Sequence, residues 1–374
     1  MAERTSPALT AGLRRYSRHL LIPEVGVEGQ RRLASARVLC IGAGGLGAPV
    51  LAYLAAAGVG RIGIVDDDRV DESNLQRQTI FSTSDIGKLK AHVAAQRVVD
   101  LNPLVAADPI PVRFDASNAS ELVRLYDVIV DCTDRFTSRY AINDACWFEG
   151  KPDVYASIFR FDGQVSVFWR DRGPCYRCLF SQPPPAGSVP TCAEGGVLGV
   201  LAGIVGTWQA NEALKIILGI GEPLVGRLML IDALGSQVRE FAIERDAQCA
   251  LCGNSPSITA VREEDEDSAA PPDAQEVQPA ELDEALNGAV LLDVRERHEA
   301  VLGVLENAIH IPASELQARL HELDSAKSYV VACRVGSKSR WAIQLLRDAG
   351  FTRVTHLNGG LLGYAALDPG FAFF

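Results

Sequence analysis

The pattern of apolar and polar positions divides the chain into a large α/β portion, a polar gap and a second, smaller α/β portion. The first strong signal is Val38 to Gly47, VLCIGAGGLG, an apolar run broken by glycines. It predicts a buried strand entering a helix through a tight turn. Pro49 suits the first helical turn, where its missing N–H is not needed, and Gly58 and Gly60 end the helix before a second apolar run, Arg61 to Asp66. This is a βαβ unit. A helix is predicted over 88–101, closed by Asn102 and Pro103, and a short strand over 127–134, DVIVDCTD. Alternation over 153–170 predicts antiparallel strands turning at Asp162–Gly163, and the apolar run from Leu198 to Leu218 predicts a buried helix. From Val261 to Ala280 the sequence turns acidic and proline-rich, so the first domain is read as 1–255, a linker as 256–280 and a second domain as 281–374. In the second domain Val290–Val294 and Tyr329–Ala332 read as buried strands, and Trp341–Ala349 as an amphipathic helix.

Composition narrows the function. A chain of 374 residues with 48% hydrophobic residues can hold two or three cores. Its net charge of -11 argues against a generic nucleic-acid or anionic-membrane binder and favours small ligands or protein partners. The uncharged stretch Gly195 to Asn211 contains Thr207, Gln209 and Asn211, so it reads as a buried helix rather than a membrane span. Nine cysteines, two C-x-x-C pairs and no secretory pattern point to thiol and metal chemistry in a reducing cytoplasm.

The candidate chemistry follows the glycines. Gly42, Gly44 and Gly47 have the G-x-G-x-x-G spacing, with Gly45 between them; this lets backbone N–H groups and a helix N-terminus face a phosphate. Asp66, at the end of the second strand, suits a ribose hydroxyl. Alone, the motif does not distinguish NAD, FAD or ATP. The loop DESNLQRQTIF contributes Asn74 and Arg77, the next helix opens with Lys90 for a phosphate, and Asp134 ends a strand as a candidate magnesium ligand.

Cys175, Cys178, Cys249 and Cys252 form two knuckles that suit a closed structural zinc site, the alternative being a pair of redox dithiols. Cys192, in the Pro- and Gly-rich loop QPPPAGSVPTCAEGG, is a candidate nucleophile, whereas Cys40, Cys132 and Cys146 read as small hydrophobes. In the second domain Cys333 opens CRVGSKSR, a cysteine at a strand end followed by a Gly/Ser loop, a helix N-terminus and the cations Arg334, Lys338 and Arg340, all of which favour a thiolate. A phosphatase-like loop would carry arginine six positions after the cysteine; Ser339 stands there.

With these residues assembled, the first 255 or so resemble the ThiF/MoeB family of ATP-dependent adenylyltransferases, bacterial relatives of ubiquitin-activating enzymes. The resemblance rests on RYSRH at 15–19, GAGGLG, VDDDRVDESNLQRQ, Lys90, DCTD, both cysteine knuckles and TCAEGG. Residues 281–374 resemble a rhodanese domain through LLDVRERHE, IHIP, CRVGSKSR and NGG. Two segments differ from that pattern: AVLGVLENA stands where a histidine-bearing segment is usual, and Lys338 where arginine is common.

The resemblance implies a Rossmann-like, ubiquitin-activating-type adenylation domain followed by a small α/β rhodanese domain. It implies ATP and Mg2+ at the glycine loop, with Asn74, Arg77 and Lys90 on the phosphates, and Zn2+ in the knuckles. The partner it implies is a ubiquitin-like sulfur carrier protein with a C-terminal Gly-Gly, of the MoaD/ThiS kind, whose adenylylated carboxylate becomes a thiocarboxylate. Sulfur would come from a persulfide on Cys333, fed by thiosulfate or a cysteine desulfurase. Cys192 would form a transient covalent intermediate, and Arg18 would reach a partner subunit's ATP, so a homodimer is expected. The rival expectations are an NAD- or FAD-dependent oxidoreductase and a non-catalytic scaffold for a sulfur carrier.

Overall fold

The computed structural model describes residue 12 and residues 14–183, 195–264, 275–301 and 303–367. They form two compact units, the first ending at Glu264.

The first unit is built on one eight-stranded sheet with the order β3-β2-β1-β4-β5-β6-β7-β8. Strands β1 (Arg37–Ile41), β2 (Arg61–Val65), β3 (Ala106–Ile110), β4 (Val128–Asp131) and β5 (Asp153–Phe159) are parallel; β6 (Asp162–Phe168), β7 (Arg227–Asp232) and β8 (Gln237–Ala242) continue antiparallel. β1 has β2 on one side and β4 on the other, so connections leave its carboxyl end in opposite directions. This is the topological switch point where α/β sheets open a ligand crevice.

Val38, Leu39, Cys40 and Ile41 of β1 are all buried, as a parallel strand covered on both faces requires. Val50, Leu51, Leu54 and Ala55 of helix α1 (Gly47–Ala57) cover one face, with helix α2 (Lys90–Leu101) beyond. Ala141, Ile142 and Ala145 of helix α3 (Phe136–Glu149) and Phe114 cover the other. The long helix α4 (Gly199–Leu218) lies along α1 and against β5 and β6. Each Val, Leu or Ile so buried contributes about 1.5–3 kcal/mol. Among the described residues no helix is long and apolar enough to cross a membrane.

The antiparallel pair expected over 153–170 is present, but its turn is Arg160–Phe161 and not Asp162–Gly163: Asp162 is paired with Phe159 across the strands, and Arg160 takes the positive φ of 52°. Gly163 serves packing instead, because a Cβ there would run into Val205 of α4. A close helix selects for glycine as strongly as a turn does.

The second unit has a five-stranded parallel sheet, order β11-β10-β12-β13-β9, from β9 (Glu276–Val277), β10 (Val290–Asp293), β11 (Ile309–His310), β12 (Tyr329–Ala332) and β13 (Val354–Leu357). Helix α5 (Ser337–Asp348) follows β12, and helix α6 (Gly360–Ala365) follows β13. The stretch read as linker carries structure at both ends. Ile258 is buried and Val261 packs on the core of the first unit, whereas Glu276–Val277 is an edge strand of the second. A two-residue strand is too short for periodicity to reveal. Residues 265–274 lie outside the described residues.

Candidate active sites and metal centre

At the carboxyl ends of β1 and β4 the glycine loop is shaped by lack of side chains. Gly42 has φ +96°, and a Cβ on it would sit 2.8 Å from the Cys132 carbonyl; one on Gly47 would collide with the Gly42 carbonyl. Over the loop, Arg77 lies above Gly45, and buried Gln78 beside Gly44 keeps an amide oxygen with no partner. Asp66 closes the loop from β2, accepting the Ala43 N–H at 2.7 Å on one oxygen and the Asp68 N–H at 2.9 Å on the other. Burial pushes its carboxyl above the usual range, opposed by Lys90. Asn74 caps the turn that carries Arg77: it accepts the Asp71 N–H through its side chain, and its carbonyl takes the Arg77 N–H. Lys90 is buried and donates to Asp68 at 2.9 Å, while Arg135 stands 3.7 Å from both Asp67 and Asp68.

Arg77 thus stands over the glycine loop, Asp66 closes that loop from β2, and Asp68, whose N–H Asp66 accepts, holds Lys90. The two aspartates of DCTD divide: Asp131 is buried, its carboxyl pushed up to about 7 mainly by desolvation, and Asp134 is exposed three residues on. An exposed carboxylate at a strand end suits a hydrated hard cation, and the glycine cradle with its orphaned Gln78 oxygen suits a nucleotide. Arg18 stands exposed on the short helix Ser17–Leu20, which packs on the helix Gly26–Ser35. Gln78 and Asp68 were missed from sequence; their only signal is the polar run around Arg77. Cys192 lies outside the described residues.

The four knuckle cysteines converge. Their Sγ atoms lie within 4.8 Å of one another, with Cys175 to Cys249 at 3.6 Å, Cys175 to Cys178 at 3.9 Å and Cys178 to Cys252 at 3.2 Å. A zinc–sulfur bond of about 2.3 Å gives tetrahedron edges of about 3.8 Å, close to the 3.6 and 3.9 Å pairs, so the set fits Zn2+ once Cys178 and Cys252 move slightly apart. The first knuckle is fixed by what lies between its cysteines. Arg177 makes a bidentate pair with buried Asp144 of α3 at 2.8 and 2.7 Å and meets Glu264, and the Tyr176 N–H donates to Asn143 at 2.7 Å. One zinc per chain is therefore expected by elemental analysis. Cys249→Ser should lower the unfolding midpoint by several degrees, at about 2–4 °C per kcal/mol, while adenylation persists below the new midpoint.

In the second unit Cys333 follows β12 and is buried. Its Sγ accepts the Gly336 N–H at 3.1 Å. Gly336 takes φ +104° to turn the loop into α5. The Leu361 N–H donates to the Cys333 carbonyl at 2.8 Å, and a Cβ on Gly360 would crowd the same backbone, so the NGG segment holds the loop from behind. Lys338 is paired with Glu299 at 2.8 Å and Arg340 with Glu276 at 3.6 Å.

Beneath the loop is fully buried His356, which sequence patterning did not single out. It sits on β13 in register with Glu276 of β9. Burial, reinforced by Arg340 and opposed by Glu276, lowers its imidazole to about 4 from 6.5. The folded state thus refuses a proton that the unfolded chain accepts. The stability contribution is complete above pH 6.5 and is lost as pH falls from 6.5 to about 4. An unfolding midpoint measured by far-UV circular dichroism should drop across that window, and His356→Asn should flatten the drop.

Residues 16–251 match the ThiF family model, and residues 278–367 match the rhodanese-like domain model. The chain belongs to the ThiF family. Among similar proteins, the probable adenylyltransferase/sulfurtransferase MoeZ of Mycobacterium tuberculosis is 44% identical over 94% of this chain and 92% of its own length. The adenylyltransferase and sulfurtransferase MOCS3 of Sus scrofa is 40% identical over 94% of this chain and 85% of its own. The sulfur carrier protein adenylyltransferase of Thermus thermophilus is 52% identical over 66% of this chain and 92% of its own. A crystal structure of E. coli MccB with MccA-N7isoASN has the same fold, with a TM-score of 0.59 at 23% identity over 67% of this chain and 76% of that one. This ThiF-family chain is an enzyme, an adenylyltransferase that uses ATP and a sulfurtransferase carrying a rhodanese domain, and the oxidoreductase and scaffold readings fall.

Proposed function

We propose that the ThiF-family unit adenylylates the C-terminal glycine of a ubiquitin-like sulfur carrier ending in Gly-Gly, and that Cys333 supplies the sulfur that turns this carboxylate into a thiocarboxylate. The observation that carries the reading is the Gly336 N–H aimed at Cys333 Sγ at 3.1 Å, in a chain whose other unit holds a glycine cradle between Asp66 and Lys90. ATP lies with its phosphates on the Gly42–Gly47 backbone and its ribose at Asp66. Arg77, Lys90 and Asn74 neutralise and orient the phosphates, and Asp134 holds Mg2+, which adds charge neutralisation there.

A carrier carboxylate oxygen attacks the α-phosphorus, the bond to the β-phosphate oxygen breaks, and pyrophosphate leaves. At the rhodanese site the Cys333 thiolate attacks the sulfane sulfur of thiosulfate, sulfite leaves with the electron pair, and a perthiolate remains. Its terminal sulfur attacks the acyl-adenylate, AMP leaves, and an acyl disulfide forms. A second thiol, for which Cys192 is the candidate, attacks Cys333 Sγ, releases the thiocarboxylate and leaves a Cys192–Cys333 disulfide, which an external dithiol reduces before the next turnover. A cysteine desulfurase is the alternative sulfur source. The knuckle cysteines hold a structural zinc.

A homodimer is the proposed assembly, with Arg18 reaching the partner's nucleotide. An open groove of about 1060 Å³ between α1 and α4, lined by Tyr53, Val200, Ile204 and Trp208, is apolar enough to be covered by a second copy. The test is ATP–pyrophosphate exchange with a carrier of the MoaD/ThiS kind. Exchange should require the carrier's terminal glycine, and adding thiosulfate should shift the carrier mass by the exchange of oxygen for sulfur. Exchange that ignores the carrier would refute the substrate.

A further inference from the structure

We propose that His356 is a positioning residue that turns the Ser339 hydroxyl toward the Cys333 sulfur, through a one-directional hydrogen-bond chain that starts at the Arg340 guanidinium. The proposal rests on the reading of Cys333 as the sulfur-bearing residue.

The direction of the chain follows from proton counting. The Arg340 Nε–H lies 3.3 Å from His356 Nε2, and a guanidinium has donors only, so Nε2 accepts. A neutral imidazole has one N–H, which is therefore on Nδ1, and it donates to Ser339 Oγ at 3.0 Å. That leaves the hydroxyl proton to point elsewhere. Within reach are the Gly336 carbonyl at 2.9 Å and Cys333 Sγ at 3.7 Å. With a neutral thiol the carbonyl is the better acceptor. When the sulfur is a thiolate or perthiolate, the charge-assisted bond is about twice as strong and the hydroxyl turns to it. The Gly336 carbonyl is not orphaned by this, since it also accepts the Arg340 N–H at 3.2 Å.

Every donor in the chain then points from the cation to the anionic sulfur, an order in which each bond polarises the next. Burial and Arg340 from α5 hold the imidazole neutral against Glu276 from β9, which lies 3.7 Å from Nε2 and favours a second proton. The charges carried by the Cys333 loop and the start of α5 are Arg334, Lys338 paired with Glu299, and Arg340 paired with Glu276 at 3.6 Å.

The test is peptide-resolved alkylation of Cys333 by iodoacetamide in the full chain. His356→Leu and Ser339→Ala should each slow alkylation about tenfold at pH 7 and much less at about pH 10. The double variant should be no slower than either single one. His356→Asn, which keeps an N–H for Ser339, should stay within about threefold of the parent. A parental rate at pH 7 in both His356→Leu and Ser339→Ala, equal slowing at both pH values, or failure of His356→Asn to rescue overturns the proposal. Should His356→Leu fail to fold, Ser339→Ala, which loses only a hydroxyl, decides alone. These rates do not depend on catalysis. If Cys333→Ala kept sulfurtransferase activity, the assignment of Cys333 would fall while the alkylation result stood.

Discussion

Cys333→Ala is expected to abolish thiosulfate sulfurtransferase activity, by at least about 10³-fold, the scale seen when a nucleophile is removed, and to leave carrier-dependent ATP–pyrophosphate exchange intact. Cys333 is buried in the core of the second unit, and its Sγ meets a backbone N–H and a serine hydroxyl. Alanine therefore removes the sulfur with little disturbance, and β12 and α5 keep their contacts. The two units have separate sheets and separate cores, so each keeps its own strands and its own packing. Parallel assays of sulfite release and pyrophosphate exchange check this. Loss of both activities would contradict the separation, and survival of sulfite release would move the nucleophile to another cysteine.

Asp134→Ala should lower ATP–pyrophosphate exchange at least about 100-fold, on the order of 3 kcal/mol of transition-state stabilisation, with the unfolding midpoint unchanged. The carboxylate is exposed in the loop three residues beyond the end of β4, so truncation leaves no cavity, whereas under the proposed function it removes a ligand of the cation. The control is Asp131→Asn. Asp131 is buried under the same strand, its carbonyl accepts from Gln209 and its side chain accepts the Thr133 N–H at 3.0 Å. That variant should act chiefly on stability. If the two substitutions exchanged phenotypes, the roles given to the two aspartates would be reversed.

Much of this was legible in the chain. Strands β1, β2, β4, β10 and β12 came from apolar runs because a parallel strand buried on both faces has no polar face to confuse the reading. The glycine loop and the four knuckle cysteines could be read because their chemistry depends on residue type at short spacing. Asp162–Gly163 misled for a related reason. Glycine was correctly marked as special there, yet the cause was Val205 of a helix far along the chain, and no local rule distinguishes that from a turn.

Sequence by itself therefore determined the two α/β units and singled out the glycine loop, the cysteine knuckles and Cys333, each a matter of local pattern. Tertiary structure alone decided which of Asp131 and Asp134 faces outward, that Asp68 holds Lys90, that Arg177 pins a knuckle to Asp144, and that His356 and Glu276 meet beneath the Cys333 loop. Those pairings join residues tens of positions apart through the register of parallel strands and the angle of packed helices. Such geometry is set by how whole elements bury their apolar faces, and the spacing of letters along one segment does not encode it.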